Sequence, residues 1–275
     1  MKSQAKGLGL RQEFVDLLCE GPKLDGIDFL ELSPENWLGL GGKKRDQLEK
    51  IADRYPLVAH GLSLSIADTQ PLNQQFLEDV REFLDDYRIQ IYSDHLSLSR
   101  DRNGYLYDLL PTPRYQENIA YLVDRIRCVQ DVMQRRLVLE NISYYHAYPK
   151  QLPEGEFLAN VAERSGCGIL LDINNVYVNG RNHGTDPREV IAAIPSSAIV
   201  YYHIAGHQEQ EDGLLLDTHG TTVCNQVLSL VRQVIDLHGP RPLVLERDHN
   251  VPPLPYLAAE LDRVYEAIRG GSRAS

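Results

Sequence analysis

Seven short apolar stretches of this chain each run into a carboxylate or an imidazole. In chain order they close as Glu31-Leu-Ser-Pro-Glu35-Asn36-Trp37, Val58-Ala-His60-Gly, Ser93-Asp94-His95-Leu-Ser, Val138-Leu-Glu140-Asn141, Leu171-Asp172-Ile-Asn174-Asn175, Tyr202-His203-Ile-Ala-Gly-His207 and Leu245-Glu246-Arg247-Asp248. Asp217-Thr-His219 follows in a long loop, and Asp-x-His on one extended segment can turn two ligands toward one ion cluster. Taken singly, each has an ordinary explanation: a histidine on an apolar strand is usually a hydrogen-bonded core residue, and an acid after a strand is usually a helix cap. Recurrence is what argues chemistry. Glu140 and Glu246 would be costly to bury unpaired. His60, His95 and His203 face one mouth if side chains alternate along each strand. Imidazoles and carboxylates converging in one cavity make a metal site, here with more than one metal.

The elements that must position these groups can be read from the pattern. Apolar runs at residues 7–11, 27–32, 56–62, 89–96, 136–142, 168–173, 199–204 and 242–246 alternate with amphipathic stretches at 12–20, 43–55, 72–87, 112–135, 154–165, 186–194, 222–238 and 255–269. Thr112-Pro113 and Asp186-Pro187 read as helix N-caps followed by proline in the first turn. Eight βα units in about 250 residues predict a single closed (β/α)8 TIM barrel, whose chemistry sits at the C-terminal ends of its strands. No Pro/Gly/Ser linker divides the chain, so one domain over 1–275 is expected, with its core at about 7–269. An open doubly wound sheet would want a phosphate loop. The one candidate, Gly39-Leu-Gly-Gly42, lacks the lysine and the spacing.

Composition narrows the partners. Twenty-eight Lys+Arg against 39 Asp+Glu give a net charge of −11 with no basic cluster, which argues against nucleic acid. No apolar run approaches the roughly 18–20 residues of a membrane span. Arg11 interrupts the only early apolar stretch, so a secretory signal is not expected. Cys19, Cys128, Cys167 and Cys224 are scattered without zinc-like spacing, as for reduced thiols in a cytoplasmic protein. The stretch 97–111 is long for a βα loop and carries Arg100, Arg102, Tyr105 and Tyr107, which fits a lid or a binding element.

The ordered set His60, His95, Glu140, Asp172-x-x-Asn175, His203, Asp217-x-His219, Glu246 resembles the trinuclear metal set of the xylose-isomerase-like barrel superfamily. In endonuclease IV the order is His, His, Glu, Asp-x-x-His, His, Asp-x-His, Glu, so Asn175 departs by standing at a histidine position. The wording Glu35-Asn-Trp, His60-Gly-Leu-Ser, Ser93-Asp-His-Leu-Ser, Leu139-Glu-Asn, Leu171-Asp-Ile-Asn-Asn-Val-Tyr and His203-Ile-Ala-Gly-His207 is similar to a narrower group, the multinuclear non-haem iron-dependent oxidases that include methanobactin oxidase. The likeness runs from about residue 7 to about 269. It implies two to three iron ions per chain and O2 as co-substrate. It also implies a Cys-containing, ribosomally made precursor peptide as substrate, whose cysteine is modified by heterocycle formation. A small partner protein holding the peptide leader is implied as well.

On that reading Glu140 and Glu246 bridge metals, His60 and His95 serve one side of the mouth, and Asn175, Asp217 and His219 serve the other. Asp172 and His203 fall between. Asp94 and His207 are expected to orient ligand imidazoles, and Asp248 to be a further ligand or a support for one. Asn175 offers a weaker oxygen ligand than histidine and favours a loosely held third metal. The alternative on the same barrel is a metal-dependent hydrolase or isomerase of the endonuclease IV or sugar-isomerase type. A non-catalytic metal-storage protein would not need such a mouth.

Overall fold

The structure, a computed structural model, describes residues 1–270, the side chain of Tyr107 excepted. Its strands are β1 (Lys6–Gly9), β2 (Phe29–Leu32), β3 (Leu57–His60), β4 (Tyr92–His95), β5 (Ser97–Asp101), β6 (Gly104–Pro111), β7 (Leu137–Glu140), β8 (Gly168–Asp172), β9 (Ile199–Ile204), β10 (Gln208–Glu209), β11 (Leu215–Leu216) and β12 (Leu243–Leu245). Eight of them close a parallel barrel in the order β1-β2-β3-β4-β7-β8-β9-β12, with β12 pairing back onto β1. The fold is therefore the expected (β/α)8 barrel.

Helices cover the outside: α1 (Val15–Glu20), α2 (Lys43–Ala52), α3 (Gln74–Asp86), α4 (Gln116–Met133), α5 (Glu154–Ser165), α6 (Ile173–His183), α7 (Pro187–Ala193), α8 (Asn225–His238) and α9 (Leu254–Arg269). Strand residues that face outward, such as Leu30, Leu137, Leu139, Ile169, Leu171 and Leu243, pack with the helices in one large core. Each such side chain, fully buried, contributes roughly 1.5–3 kcal/mol by leaving water.

The inward side chains form a second, smaller core inside the barrel: Ala5, Phe29, Val58, Val138, Leu170, Tyr201 and Val244. Gly7 makes room for it, since a Cβ there would run into the Phe29 ring. Because strand side chains alternate, the inward residue two positions on from each of the six after Ala5 stands one layer higher, toward the C-terminal mouth. Those residues are Glu31, His60, Glu140, Asp172, His203 and Glu246. An apolar floor thus carries a polar layer above it. Register then sets neighbours: His95 lies beside Glu140, and Asp172 beside His203.

Two details depart from the pattern reading. Thr112-Pro113 does not cap a helix. Thr112 Oγ1 donates to the Leu96 carbonyl and ends a hairpin, and α4 begins only at Gln116. Asp186 does cap α7, accepting from the Arg188 backbone N–H. Helix α6 lies outside the expected helical stretches, because its Asn-rich sequence follows β8 with no loop between. The stretch 97–111 is an antiparallel β5–β6 hairpin, and a second small hairpin, β10–β11, lies in the loop after β9.

Candidate metal centre

Among the described residues, three groups of ligand atoms converge at the mouth: His60, His95 and Glu140; Glu140, Asp172, His203 and Glu246; and His219, Glu246 and Asp248. Glu140 belongs to the first two and Glu246 to the last two, so two carboxylates join three would-be ion positions into a line.

At one end, His60 Nε2 and His95 Nε2 stand 3.2 Å apart, and Glu140 Oε2 lies 3.1 Å from the first and 3.3 Å from the second. His60 Nδ1 is engaged from behind by Ser93 Oγ at 2.8 Å. In the middle, His203 Nδ1 is 3.2 Å from Glu140 Oε1 and 3.0 Å from Glu246 Oε2. At the other end, His219 Nδ1 is 3.0 Å from Asp248 Oδ2 and 3.5 Å from Glu246 Oε2, while its Nε2 is 2.7 Å from Asp217 Oδ1. This end is the more open one, since the Asp248 side chain is 37% exposed against 3% for Glu140. Arg11 ion-pairs with Asp248, approaches Glu246 at 3.5 Å and donates to the Arg247 carbonyl at 2.8 Å.

Asp172 has two tasks. Its Oδ1 accepts the Asn175 backbone N–H at 2.7 Å and caps α6, while Oδ2 is buried without a partner. Asn175 donates through Nδ2 to the Asn141 carbonyl, and its Oδ1 is likewise buried and unpartnered. Asp217 is held by Asn174 Nδ2 at 2.8 Å and Ser143 Oγ at 2.9 Å.

Neither Asp94 nor His207 hydrogen-bonds a ligand imidazole. Asp94 points outward from the strand, where Oδ2 accepts from Tyr92 Oη and the Leu64 backbone N–H, and its Oδ1 is 3.7 Å from His95 Nδ1, beyond hydrogen-bond reach. His207 Nδ1 meets Asn174 Oδ1 at 2.8 Å, so it braces the amide that holds Asp217 rather than an imidazole. Sequence reasoning missed Glu31 as a member of the site. It is buried, with Oε1 2.8 Å and Oε2 3.0 Å from His203 Nε2, and it accepts from Tyr201 Oη at 2.8 Å. The inward alternation from Phe29 was the signal that could have found it.

The electrostatics fit a cation site whose cations are replaced by protons. Burial alone would lower the His60 pKa, but Glu140 and Glu31 overcome it and raise it to about 9. His203 and His219 are driven well above the ordinary imidazole range in the same way, against burial, by Glu31 and Glu246 at the first and by Asp217 and Glu246 at the second. Glu140 and Glu246 are held below the ordinary carboxylate range despite burial, chiefly by these imidazoles. Asp172, buried beside Glu140 and Asp217, is pushed up to about 8. Buried donors and acceptors are normally satisfied. Here Asp172 Oδ2 and Asn175 Oδ1 lack hydrogen-bond partners, and His203 Nδ1 and His219 Nε2 face only the carboxylate oxygens of the same cluster. Metal ions would supply the partners these atoms lack, and the mixed N/O donor set suits iron.

Above the ligands opens a cavity of about 670 Å3, walled by Leu62, Tyr105, Asp108, Leu109, Ile142 and Tyr145 among others. Tyr105, Asp108 and Leu109 come from β6. None of the four cysteines lines it. No described helix is long and apolar enough to cross a membrane.

Comparison with known structures shows the barrel type. The chain is similar to D-psicose 3-epimerase (TM-score 0.60, 12% identity, 98% of each chain covered). It is also similar to the IOLI protein with a bound zinc atom (TM-score 0.62, 12% identity, covering 98% of this chain and all of that one). Endonuclease IV from Thermus thermophilus aligns at a TM-score of 0.57 and 14% identity over 97% of this chain and 99% of that one. These are xylose-isomerase-like TIM barrels, and the likeness concerns the fold. Sequence relatives are nearer: a UPF0276 protein of Shewanella sediminis is 43% identical over 97% of this chain and 95% of its own length, and one of Pseudomonas aeruginosa 44% identical over 98% and 94%. Residues 5–269 match the model described as RiPP precursor modification enzyme MbnB/TglH/ChrH, and with its metal-ready mouth on a xylose-isomerase-like barrel the chain belongs to that family of enzymes acting on ribosomally made peptides.

Proposed function

We propose that the protein is a multinuclear iron-dependent oxidase that uses O2 to modify cysteine residues of a precursor peptide, with heterocycle formation as the outcome. The observation that carries this reading is the line of three ligand groups joined through Glu140 and Glu246 beneath an open cavity, on a chain of a peptide-modifying family. In this reading two to three irons are held by His60, His95, Glu140, Asp172, Asn175, His203, Asp217, His219 and Glu246, with Asp248 as a further ligand at the open end. Iron bound there would supply coordination positions for a thiolate and the electrons that reduce O2.

The chain's own residues do the rest. Glu140 and Glu246 place their negative charge between neighbouring positions, so cations can sit close without direct repulsion. Arg11 moderates the excess negative charge at the open end. Burial of Glu140, Asp172 and His203 keeps bulk water off the inner positions. The cavity contains no cysteine of this chain, so the thiol that reacts belongs to the substrate. The β5–β6 hairpin presents that segment of peptide, and a small partner protein grips its leader. Residues 1–275 act as one domain, in the cytoplasm.

Anaerobic loading with ferrous iron, elemental analysis and mixing with O2 and a Cys-containing precursor test this reading. The expected result is two to three irons per chain and O2 uptake with a mass change confined to cysteine. Zinc alone after iron-supplemented expression, with no iron-dependent turnover, would leave a metal site and remove the oxidase. A hydrolase or isomerase would turn over without consuming O2.

A further inference from the structure

Beneath the metal groups runs a buried chain of hydrogen bonds that touches two of the ligand histidines from behind. His60 Nδ1 meets Ser93 Oγ at 2.8 Å, Ser93 Oγ meets Tyr201 Oη at 2.6 Å, Tyr201 Oη meets Glu31 Oε2 at 2.8 Å, and Glu31 Oε2 meets His203 Nε2 at 3.0 Å. Ser93, Tyr201 and His203 are fully buried, and Glu31 and His60 are each 4% exposed. His60 belongs to the first ligand group and His203 to the second.

The proton positions follow from counting donors and acceptors. An ionised Glu31 only accepts, so Tyr201 and His203 must both donate to it. Tyr201 has spent its one proton, so its oxygen accepts from Ser93. Ser93 has a second acceptor in the Ala59 carbonyl, but at 3.2 Å against 2.6 Å to Tyr201. Ser93 Oγ then accepts from His60 Nδ1–H. One carboxylate thereby dictates both tautomers: Nδ1–H at His60 leaves Nε2 free toward His95 and Glu140, and Nε2–H at His203 leaves Nδ1 free toward Glu140 and Glu246. Those free nitrogens are the ones that face the ligand groups.

We infer that Glu31, Tyr201 and Ser93 are positioning residues that set the metal-binding tautomers of His60 and His203 together, so that two neighbouring metal positions share one buried counter-charge. This rests on the metal-centre reading above. Outer partners of this kind typically change metal affinity by about 10–100-fold when removed.

The substitutions act on different links. Ser93→Ala removes the acceptor of His60 Nδ1–H directly, and Tyr201→Phe uncouples Ser93 from Glu31, leaving it only the longer 3.2 Å contact to the Ala59 carbonyl. Glu31→Gln acts on His203, because both carboxylate oxygens lie within 3.0 Å of Nε2, and either orientation of the amide sets an NH2 against Nε2–H. The probe is Co2+, loaded into wild type and the three variants, with ion stoichiometry, visible absorption and the rate of Co2+ loss to a chelator as readouts, and circular dichroism as the check on fold. Tyr201→Phe and Ser93→Ala should lose one ion at least about tenfold faster while the others stay, and Glu31→Gln should speed loss of a spectroscopically different ion. Loss rates and spectra equal to wild type in all three variants would overturn the inference. Equal loosening of every ion in every variant would overturn it too, since that is general packing. Failure of the wild type to bind Co2+ would instead remove the metal-centre reading.

Discussion

Asp172 caps the Asn175 backbone N–H with one carboxylate oxygen and leaves the other buried, unpartnered and aimed at the ligand cluster. The Asp-x-x-Asn spacing therefore has a structural cause, since a cap reaches the third residue on. The two tasks separate by substitution. Asp172→Asn can still cap but carries no charge, so the melting temperature of the metal-free protein should hold while the ion count falls by one. Asp172→Ala should lose the ion and, in addition, about 1 kcal/mol of stability from the cap. Parallel melting curves and elemental analysis decide it; an Asp172→Asn variant with a full ion complement would take Asp172 out of the metal site.

The same residue shows what a sequence can and cannot say. Strand count, barrel closure and the convergence of His60, His95, Glu140, His203 and Glu246 were legible because period-2 alternation carries them, each two residues beyond an inward apolar side chain or, at His95, beyond Ser93. Glu31 obeys the same alternation from Phe29 but was obscured by the polar cluster after it, Glu35-Asn36-Trp37. Helix α6 was illegible for a different reason. It starts on the residue after β8, with its N-cap inside the strand, and its apolar stripe is short, Ile173, Val176 and Tyr177 among asparagines, so strand and helix read as one run. The hairpin at 97–111 was recognisable as a long insertion, but its anchoring by Asp68 is a tertiary matter that spacing does not encode.

Glu140 and Glu246 each belong to two ligand groups, so their loss should be felt at two positions. Glu140→Gln or Glu246→Gln removes the charge that balances neighbouring cations, and metal content should fall by at least one ion per chain. The barrel should survive, because Leu137, Leu139, Val244 and Leu245 supply the packing of those strands. Inductively coupled plasma analysis with circular dichroism reads both. Full metal in either variant would show that these strand ends are not the bridging groups.

Protonation gives the metal-free protein a pH dependence opposite to that of the loaded one. The His60 pKa, lowered by burial but raised further by Glu140, stands at about 9 against an ordinary 6.5. A group with its pKa raised on folding stabilises fully below its unfolded value and loses that contribution as pH rises through the folded one. His203 and His219 shift in the same direction. Asp172, raised to about 8 by burial and by Glu140 and Asp217, loses its contribution between 3.8 and about 8, which adds to the fall. The metal-free protein should therefore melt at a lower temperature at pH 9 than at pH 6.5. Metal ions need the deprotonated ligands and release protons on binding, so affinity should rise over the same interval. Thermal melts with and without Co2+ at both pH values test this; a metal-free protein equally stable at both would contradict it.

The β5–β6 hairpin contributes Tyr105, Asp108 and Leu109 to the wall of the mouth but no residue to any ligand group. It is fastened from below: the Ser99 backbone N–H donates to Ser65 Oγ at 2.9 Å, Arg100 pairs with the buried Asp68, and Arg100 Nη2 donates to the Pro71 carbonyl at 2.7 Å. Leu62, Tyr105, Leu106, Leu110 and Tyr145 expose apolar surface on the loops and hairpin of this end. Such surface suits side chains flanking a cysteine in an extended peptide, and a closed barrel offers no strand edge of its own for that peptide, whereas a hairpin does. Deleting residues 100–107 should leave the ion count intact, because the ligands stand on barrel strands, on α6 and on the loops after β9 and β12, and Arg125 remains 3.7 Å from Asp68 to balance its charge. The KM for the precursor should rise at least about tenfold, equivalent to about 1.4 kcal/mol of lost binding. A precursor with Ser for Cys should not be turned over by either protein, because a hydroxyl is a far poorer ligand for iron than a thiolate. Mass spectrometry of both peptides with both proteins separates the two claims: an unchanged KM removes the hairpin from substrate presentation, and equal oxidation of the serine peptide removes cysteine ligation from the chemistry.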